Sequence, residues 1–509
     1  MTAVMLSRAL GLVREAYIAW AFGAGSKTDS FVAAFTLPDF VNYLLAGGTA
    51  SITFVAMLTR YASEKREDEA QKAFSVIISV ISVLLLAFIA VATIFTPEFT
   101  RWWFPHFGPD EIALCVHLTR ILLPVQAFFV VGGVVSAVLQ WRRRFLYPAL
   151  TPILYNLGII VGGLFLSHWL GIASLAWGAL GGAFFGALFI NVIGARKTGI
   201  GYRPSFQVRH PAFLEWLRLS IPLMLGVSLV FFDDPFMRHF ASAGAGDITR
   251  LNYAKRLFSV PMAVVGQAVG QASLPFFAKL FGDKKFNEFD RTVNGSVYRA
   301  SGFALLASGW LMAASLPVVD IVYRLLRGRF HFADSEQTAI LLFVFAISLV
   351  FWCAQGLYAR AFYAAGDTVT PMVAGTIIVG LSYPIYWVMF KSFGVVGLPI
   401  ASDIGIAIYT LTLAILLHRK RLVRFGTMNW PEMAKTVGTA IFAGAAAYFV
   451  SRVIPLTGSR KADFASLALV SLTWAAAVAG GLWLTRSELP ATLRRSKQQP
   501  AIVIAQPEP

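Results

Sequence analysis

The chain has 509 residues, 57% hydrophobic and only 14% charged, with a mean hydropathy of +0.68 and a formal net charge of +17. A water-soluble domain of this length needs far more charged surface, so composition excludes a soluble globular protein. Runs of about twenty apolar residues recur from end to end, which is the length that crosses a bilayer, and the short alternating segments of a β-barrel are not what the pattern shows.

The expected fold class is all-α: a polytopic membrane protein with about fourteen transmembrane helices. In chain order the predicted spans are 3–22, 28–59, 73–97, 112–140, 147–168, 171–194, 212–239, 248–281, 294–323, 338–362, 369–391, 397–417, 433–454 and 465–485. The first apolar stretch carries charges and no small-residue cleavage site, so no cleavable signal peptide is expected. With the N-terminus in the cytoplasm, the cytoplasmic loops include "RYASEKREDEAQK", "WRRRF", "GARKTGIGYRPSFQVRH", "KLFGDKKFNEFDR", "HRKRLVRFGTMNWPEMAK" and the tail "TRSELPATLRRSK". They hold most of the loop Lys and Arg, which is the positive-inside bias and places both termini in the cytoplasm. "YRLLRGRFHF" and "TGSRKAD" are the exceptions, basic on the outside. The positive charge is thereby explained without nucleic acid, for which no motif appears. The polar tail after Ser487 is expected to be disordered. Cys115 and Cys353 lie in or beside apolar segments without metal-type spacing, so neither a structural disulfide nor a zinc site is expected.

An internal repeat is visible. Pro38, Gly47 and Phe54 follow one another at the same steps as Pro261, Gly270 and Phe277, and "ALTP" ending at Pro152 answers "TVTP" ending at Pro371. Both pairings imply an offset of about 220 residues. The domain reading is an N-terminal lobe of six helices (1–210), a C-terminal lobe of six (211–425), two C-terminal helices (426–487) and a tail (488–509). An even helix count per half makes the repeats parallel, an architecture of transporters with a central site.

Charge inside the spans points to that site. At 100° per residue, Arg8, Gly11 and Glu15 fall within about 60° on the first helix, with Arg14 further round on the same side. A charge at the bilayer centre costs at least ~2.5–3.5 kcal/mol, so such groups face a cavity or a partner. On the eighth helix Asn252, Arg256, Ser259, Gln267 and Gly270 share an arc of about 80°, blurred by a kink at Pro261. Asp29, Thr36, Gly47 and Ser51 lie on one side of the second helix. Together these faces describe a hydrated cationic cavity suited to an anion, and guanidinium grips phosphate bidentately. Asp233 and Asp234 on the seventh helix either bind a coupling cation or proton, or pair with Arg238. "GAGSKT" lacks the second glycine and the preceding strand of a phosphate-binding loop, "NGS" at Asn294 falls on the cytoplasmic side, and the histidines show no ligand spacing. No hydrolytic triad, nucleotide site, metal or cofactor is expected, which leaves a transporter rather than an enzyme.

The stretch "SRALGLVREAYIAWAFGAGSKTDSFVAAFTLPDF" resembles the first two helices of the MurJ (MviN) family of lipid II flippases, in the multidrug/oligosaccharidyl-lipid/polysaccharide exporter superfamily. "RRRFLYPALTPILYNLG", "LNYAKRLFSVPMAVVGQAVGQASLPFFAK" and "ARAFYAAGDTVTPM" are similar to the same family and spread the likeness over most of the chain. The resemblance implies a fourteen-helix protein of the bacterial inner membrane. It would flip the undecaprenyl-diphosphate-linked disaccharide-peptide of peptidoglycan synthesis from the cytoplasmic to the outer leaflet, serving cell-wall biogenesis and cell shape. Its partners would be that glycolipid, the bilayer and cell-wall synthesis enzymes. It implies that Arg8, Arg14 and Arg256 are cavity arginines, with Glu15 and Asp29 as supporting charges; Asn252, Ser259 and Gln267, from the polar stripe of the eighth helix, complete the expected substrate-binding set. The last two helices would help form a groove for the lipid tail. The chain departs from the family where an arginine pair reads Asn42-Tyr43, where a glutamate reads Gly47, and where an acidic residue reads Ser259. "GTIIVGLSYPIYW" offers Gly380 and Pro384 where some members have a sodium site, which speaks against sodium; another coupling cation or the membrane potential is the expected drive. The alternatives are a flippase for another polyprenyl-diphosphate oligosaccharide and a non-transporting envelope scaffold.

Overall fold

The structure, a computed structural model, describes residues 2–45, 54, 57–61, 64, 66–199, 201–224, 229–453 and 459–490; Gly47, Ser51 and the tail from 491 lie outside the described residues. No strand occurs among the described residues, and the chain forms two compact units.

The first unit comprises Met1–Val227, Phe231–Asn252 and Leu326–His331. It contains α1 (Thr2–Phe22), α2 (Ser26–Ala33), α3 (Thr36–Leu45), α4 (Glu67–Trp103), α5 (Pro109–Trp141) and α6 (Leu146–Leu170). These are followed by α7 (Ala173–Ala183), which runs through a π-helical turn at Phe184–Phe189 into α8 (Ile190–Arg196), and then by α9 (Pro211–Met224). Between lipid chains there is little hydrophobic drive for helices to meet, so they associate by close packing over small residues. The α6–α7 pair shows this. Gly158 and Gly162 on α6 face Gly182 and Gly178 on α7 so closely that a Cβ on either α6 glycine would stand 2.5 Å from the opposing Cα. Val130, Val134 and Val138 of α5 and Ile77 and Ile81 of α4 belong to a continuous buried core with Phe54, Leu58 and Trp216.

The strap Leu326–His331 belongs to this unit too. The Arg329 N–H donates to the Trp20 carbonyl at 2.9 Å, and a Cβ on Gly328 would fall 2.0 Å from that same oxygen, so only glycine fits there. Across the contact Gly23, at φ +72°, meets the Arg329 carbonyl.

The second unit comprises Ser228–Val230, Tyr253–Leu325 and Phe332–Pro509. Two helices run across the division: α10 (Leu229–Ala241) and α11 (Asp247–Met262). Pro261 removes a helical N–H, and the chain passes through a π turn at Ala263–Gln267 into α12 (Ala268–Gly282). Next come α13 (Phe286–Ala313) and α14 (Ser315–Arg324), bent by 71°, then α15 (Phe332–Ile347) and α16 (Leu349–Ala364), bent by 44°. The unit continues with α17 (Val369–Phe393), α18 (Gly397–Arg419), α19 (Trp430–Ser451) and α20 (Arg460–Leu484). Gly309 on α13 and Gly444 on α19 make a close approach, and Ala313, Ala314, Ala447 and Val470 pack beside it.

Among the described residues, seven helical stretches are long and apolar enough to cross a membrane, and up to nine if each bent pair is one span. The expected count of fourteen is not reached by this measure. Three charges disqualify α1, Val369–Arg419 passes as one stretch although it holds two predicted spans, and the predicted spans 28–59, 212–239 and 248–281 contain no stretch of described residues that meets the test. The apolar faces have the character that lipid demands: Ile94, Leu472 and Trp483 are 68%, 70% and 79% exposed.

Candidate functional site

The charged face of α1 is registered by packing on α6. The Tyr17 ring lies over Gly163, where a Cβ would come within 2.5 Å of it. Arg14, one turn before Tyr17, thereby meets Asn156, two turns before Gly163. The Arg14 guanidinium donates to Asn156 Oδ1 at 3.0 Å and pairs with Glu15, whose other oxygen accepts from the Asn252 amide at 3.4 Å. Asn156 is held in turn by donating to the carbonyls of Pro152 (2.9 Å) and Ser7 (3.4 Å). Glu15 is buried and the Arg14 side chain is 14% exposed, so a desolvated guanidinium is kept in place by an anion and an amide. Arg8 is exposed on the same helix, and the nearby Gly11 faces open space, with no heavy atom within 4 Å of where its Cβ would be.

Asp29 acts at a distance from these arginines. Its carboxylate accepts from the Gly246 N–H (2.5 Å), the Thr249 N–H (2.8 Å) and the Thr249 hydroxyl (2.6 Å). These are orphan donors at the N-terminus of α11, so Asp29 caps that helix from α2 and complements its dipole. It thereby positions the helix that carries Asn252. One turn beyond Asn252, in the second unit, Arg256 is exposed. The Ser259 hydroxyl donates to the Arg256 carbonyl at 2.7 Å, which satisfies it locally. Gln267 sits in the π turn, and its side chain lies outside the described residues.

The structure thus brings together Arg14, Glu15 and Asn252 within the first unit. Asp233 is buried and Asp234 half-buried on α10, while Arg238 engages Asp39 (3.1 Å) and Thr36 (3.2 Å) of α3. An aromatic shell surrounds that end of the unit: Phe40 lies against Phe99, Trp103, Phe231 and Phe232, and Tyr43 stacks on Phe231 at 4.0 Å. Asn156 and Asp39 are functional candidates that sequence reasoning missed. The signal for Asn156 was a lone amide one turn after Pro152 in an otherwise apolar run.

The two exceptions to the positive-inside pattern meet in the second unit. Arg324, from "YRLLRGRFHF", pairs with Asp320 (2.5 Å) and approaches Asp463, from "TGSRKAD", at 3.9 Å, and Ser335 donates to Asp320 at 2.6 Å. Part of that charge is therefore structural, tying α20 to α14.

Comparison with known proteins shows the family of the chain. The model of a family described as "Lipid II flippase MurJ" matches residues 18–464. A lipid II flippase MurJ of Burkholderia cenocepacia is 27% identical over 97% of each chain, and a probable lipid II flippase MurJ of a Synechocystis species is 23% identical over 88% of this chain and 85% of that one. Among solved structures, a lipid II flippase MurJ in an inward closed conformation superposes with a TM-score of 0.77 at 23% identity, covering 94% of this chain and 98% of the other. An inward-facing multidrug transporter of the MATE family superposes at 0.65, with 15% identity over 82% of this chain and 94% of that one, which is a likeness of fold.

Proposed function

The chain belongs to the lipid II flippase MurJ family, and from that premise we propose that it moves lipid II from the inner to the outer leaflet of the bacterial cytoplasmic membrane by alternating access. It is a multi-pass membrane transporter, and both termini are assigned to the cytoplasm on the loop charges. The physical task is to take a diphosphate and a sugar-peptide across about 30 Å of hydrocarbon while the polyprenyl tail stays in the bilayer. Desolvating the diphosphate makes the unaided step prohibitively slow.

The observation that carries the site is Arg14: a largely buried guanidinium on α1, oriented by Glu15 and Asn156. Arg8, on the exposed face of the same helix, adds a second cation. Arg256 is included on the sequence pattern of α11. These three arginines hold the diphosphate, with Asn252, Ser259 and Gln267 on the sugar side; Glu15 positions Arg14, and Asp29 positions α11. Asp233 and Asp234 are assigned to a coupling cation or proton. No nucleotide is used. Return of the empty cationic site to the inward side is driven by the membrane potential, worth ~2.3 kcal/mol per charge per 100 mV. Cell-wall synthesis enzymes are the proposed neighbours that supply and consume the lipid.

The test replaces Arg14 or Arg256 by Ala and follows exposure of the lipid-linked precursor at the outer leaflet. Flipping at the parent rate with normal protein levels rejects the assignment.

A further inference from the structure

We propose that a second anion site, separate from the arginines of α1 and α11, lies in the second unit where the end of α18 meets the start of α13, and that it takes a phosphate group. A cavity of about 650 Å³ is lined there by Asn287, Asp290, His418, Arg419, Arg421 and Arg424. Its floor is built before any ligand arrives. The Asp290 carboxylate is buried and accepts from the Arg424 N–H (2.9 Å), the Arg424 Nε–H (2.9 Å), the Thr427 hydroxyl (2.7 Å) and the Asn294 amide (3.1 Å). Asn294 also donates to the Arg424 carbonyl (2.9 Å), and Asn287 accepts from the Arg424 guanidinium (3.0 Å). These bonds pin residues 424–427 onto α13 and occupy the one carboxylate of the cavity.

Three guanidinium groups remain against that single, fully engaged anion. Arg419 and Arg421 form no ion pair among the described residues, and both line the cavity. Arg421 stands at φ +56°, in the left-handed turn that closes α18, with the Leu422 N–H returning to the Leu417 carbonyl at 3.0 Å. Glycine is the residue that this backbone favours, so a basic side chain stands there against local preference. His418 stacks on Phe425 at 4.6 Å, and its Nδ1 accepts the Phe425 N–H at 3.4 Å, which leaves the ring proton on Nε2 as a further donor. An excess of two positive charges presented as planar forks matches a phosphate better than a single carboxylate. The phosphate can be carried by a membrane lipid or by a soluble molecule. Exposed Trp430, bonded through its indole N–H to the Phe425 carbonyl at 2.9 Å, adds to the loop the residue type that gathers at lipid headgroups. The proposal does not depend on the transport reading.

The experiment uses the purified full-length protein. Retention of phosphatidylglycerol against phosphatidylcholine is read by native mass spectrometry, and pyrophosphate binding by calorimetry. The parent is compared with the double variant Arg419→Gln, Arg421→Gly, which leaves the Asp290–Arg424 floor intact, and with Arg452→Gln as a control for surface charge elsewhere. The expected result is at least a tenfold loss in the double variant and none in the control. Loss confined to phosphatidylglycerol identifies a lipid-borne phosphate, and loss of pyrophosphate binding as well identifies a soluble one. Absence of binding to the parent, or equal binding by the double variant, overturns the site. Should the double variant fail to fold, Arg421→Gly alone, which the backbone favours, is read by the same measure.

Discussion

Replacing Asn156 by Asp separates the two roles that the Arg14 cluster combines. The new carboxylate keeps the acceptor that Arg14 now finds at 3.0 Å and turns a neutral acceptor into a charged one, so the Arg14 contact strengthens. It forfeits the amide that donates to the Pro152 and Ser7 carbonyls, a loss of roughly 1 kcal/mol for each bond. The two effects offset one another, and thermal stability is expected to change little. Binding is expected to suffer. Arg14 and Glu15 already balance, so the cluster acquires a net negative charge. At roughly 6 Å from a bound phosphate and an effective dielectric of ~20, that charge costs about 3 kcal/mol per phosphate charge, on the order of a hundredfold in affinity. The assay is lipid II binding together with rescue of flippase-depleted cells, read beside a melting curve. Asn156→Asp protein that melts normally and flips at the parent rate refutes the assignment of Arg14 to the diphosphate.

Gly162→Val drives a side chain into α7 and is expected to cost at least ~1–3 kcal/mol, seen as lost expression and a lowered melting temperature. Asp29→Ala leaves three donors at the start of α11 without their acceptor and should destabilise by roughly 2–4 kcal/mol, whereas Asp29→Asn, which keeps one acceptor oxygen, should cost less; both are read by thermal unfolding in detergent. In the turn between α16 and α17, burial pushes the Asp367 carboxyl up, but the Lys420 ammonium at 2.5 Å and the Thr370 N–H and hydroxyl outweigh it and hold the carboxyl below its ordinary range. A depressed folded pKa contributes stability that is complete above the unfolded value and lost as the pH falls through the folded one. Melting curves below about pH 4 should therefore fall more steeply for the parent than for Asp367→Asn. Arg421→Gly relieves a left-handed residue and should leave stability equal or raise it by up to about 1 kcal/mol, measured by the same melts.

The long apolar elements are legible from sequence alone. α4, α5, α6, α17 and α18 appear where their apolar runs predict them, because continuous apolar sequence in a bilayer has only the helix available to satisfy its backbone. The breaks are less legible. Helical periodicity passes smoothly through Ala314 and Ser348, yet the chain bends there by 71° and 44°, since a bend is decided by what packs against both sides. Within the site, Arg8, Arg14 and Glu15 announce themselves as charges among apolar neighbours. Asn156 and Asp39 do not, because a single polar residue shows its importance only when tertiary packing brings it to a guanidinium. Asp29 appears in the sequence as part of a polar stripe. Its attachment to the head of α11, more than two hundred residues later, is a tertiary fact that no helical wheel contains.

The strap at Gly328 and Arg329 fastens the last turn of α1, while its first turns are held on α6 through Asn156, by the Ser7 carbonyl at 3.4 Å and Arg14 at 3.0 Å. Its bond to Trp20 and its lack of a Cβ hold the last turn, while Arg8 stands twelve residues away, about 18 Å along the axis. A rod pivoted at Trp20 and tilted by ~10° swings Arg8 through about 3 Å, the length of one hydrogen bond. On the proposed role of Arg8, a tilt of that size separates the guanidinium from an anion at the cost of the Asn156–Ser7 bond, with the fulcrum at Trp20 unbroken.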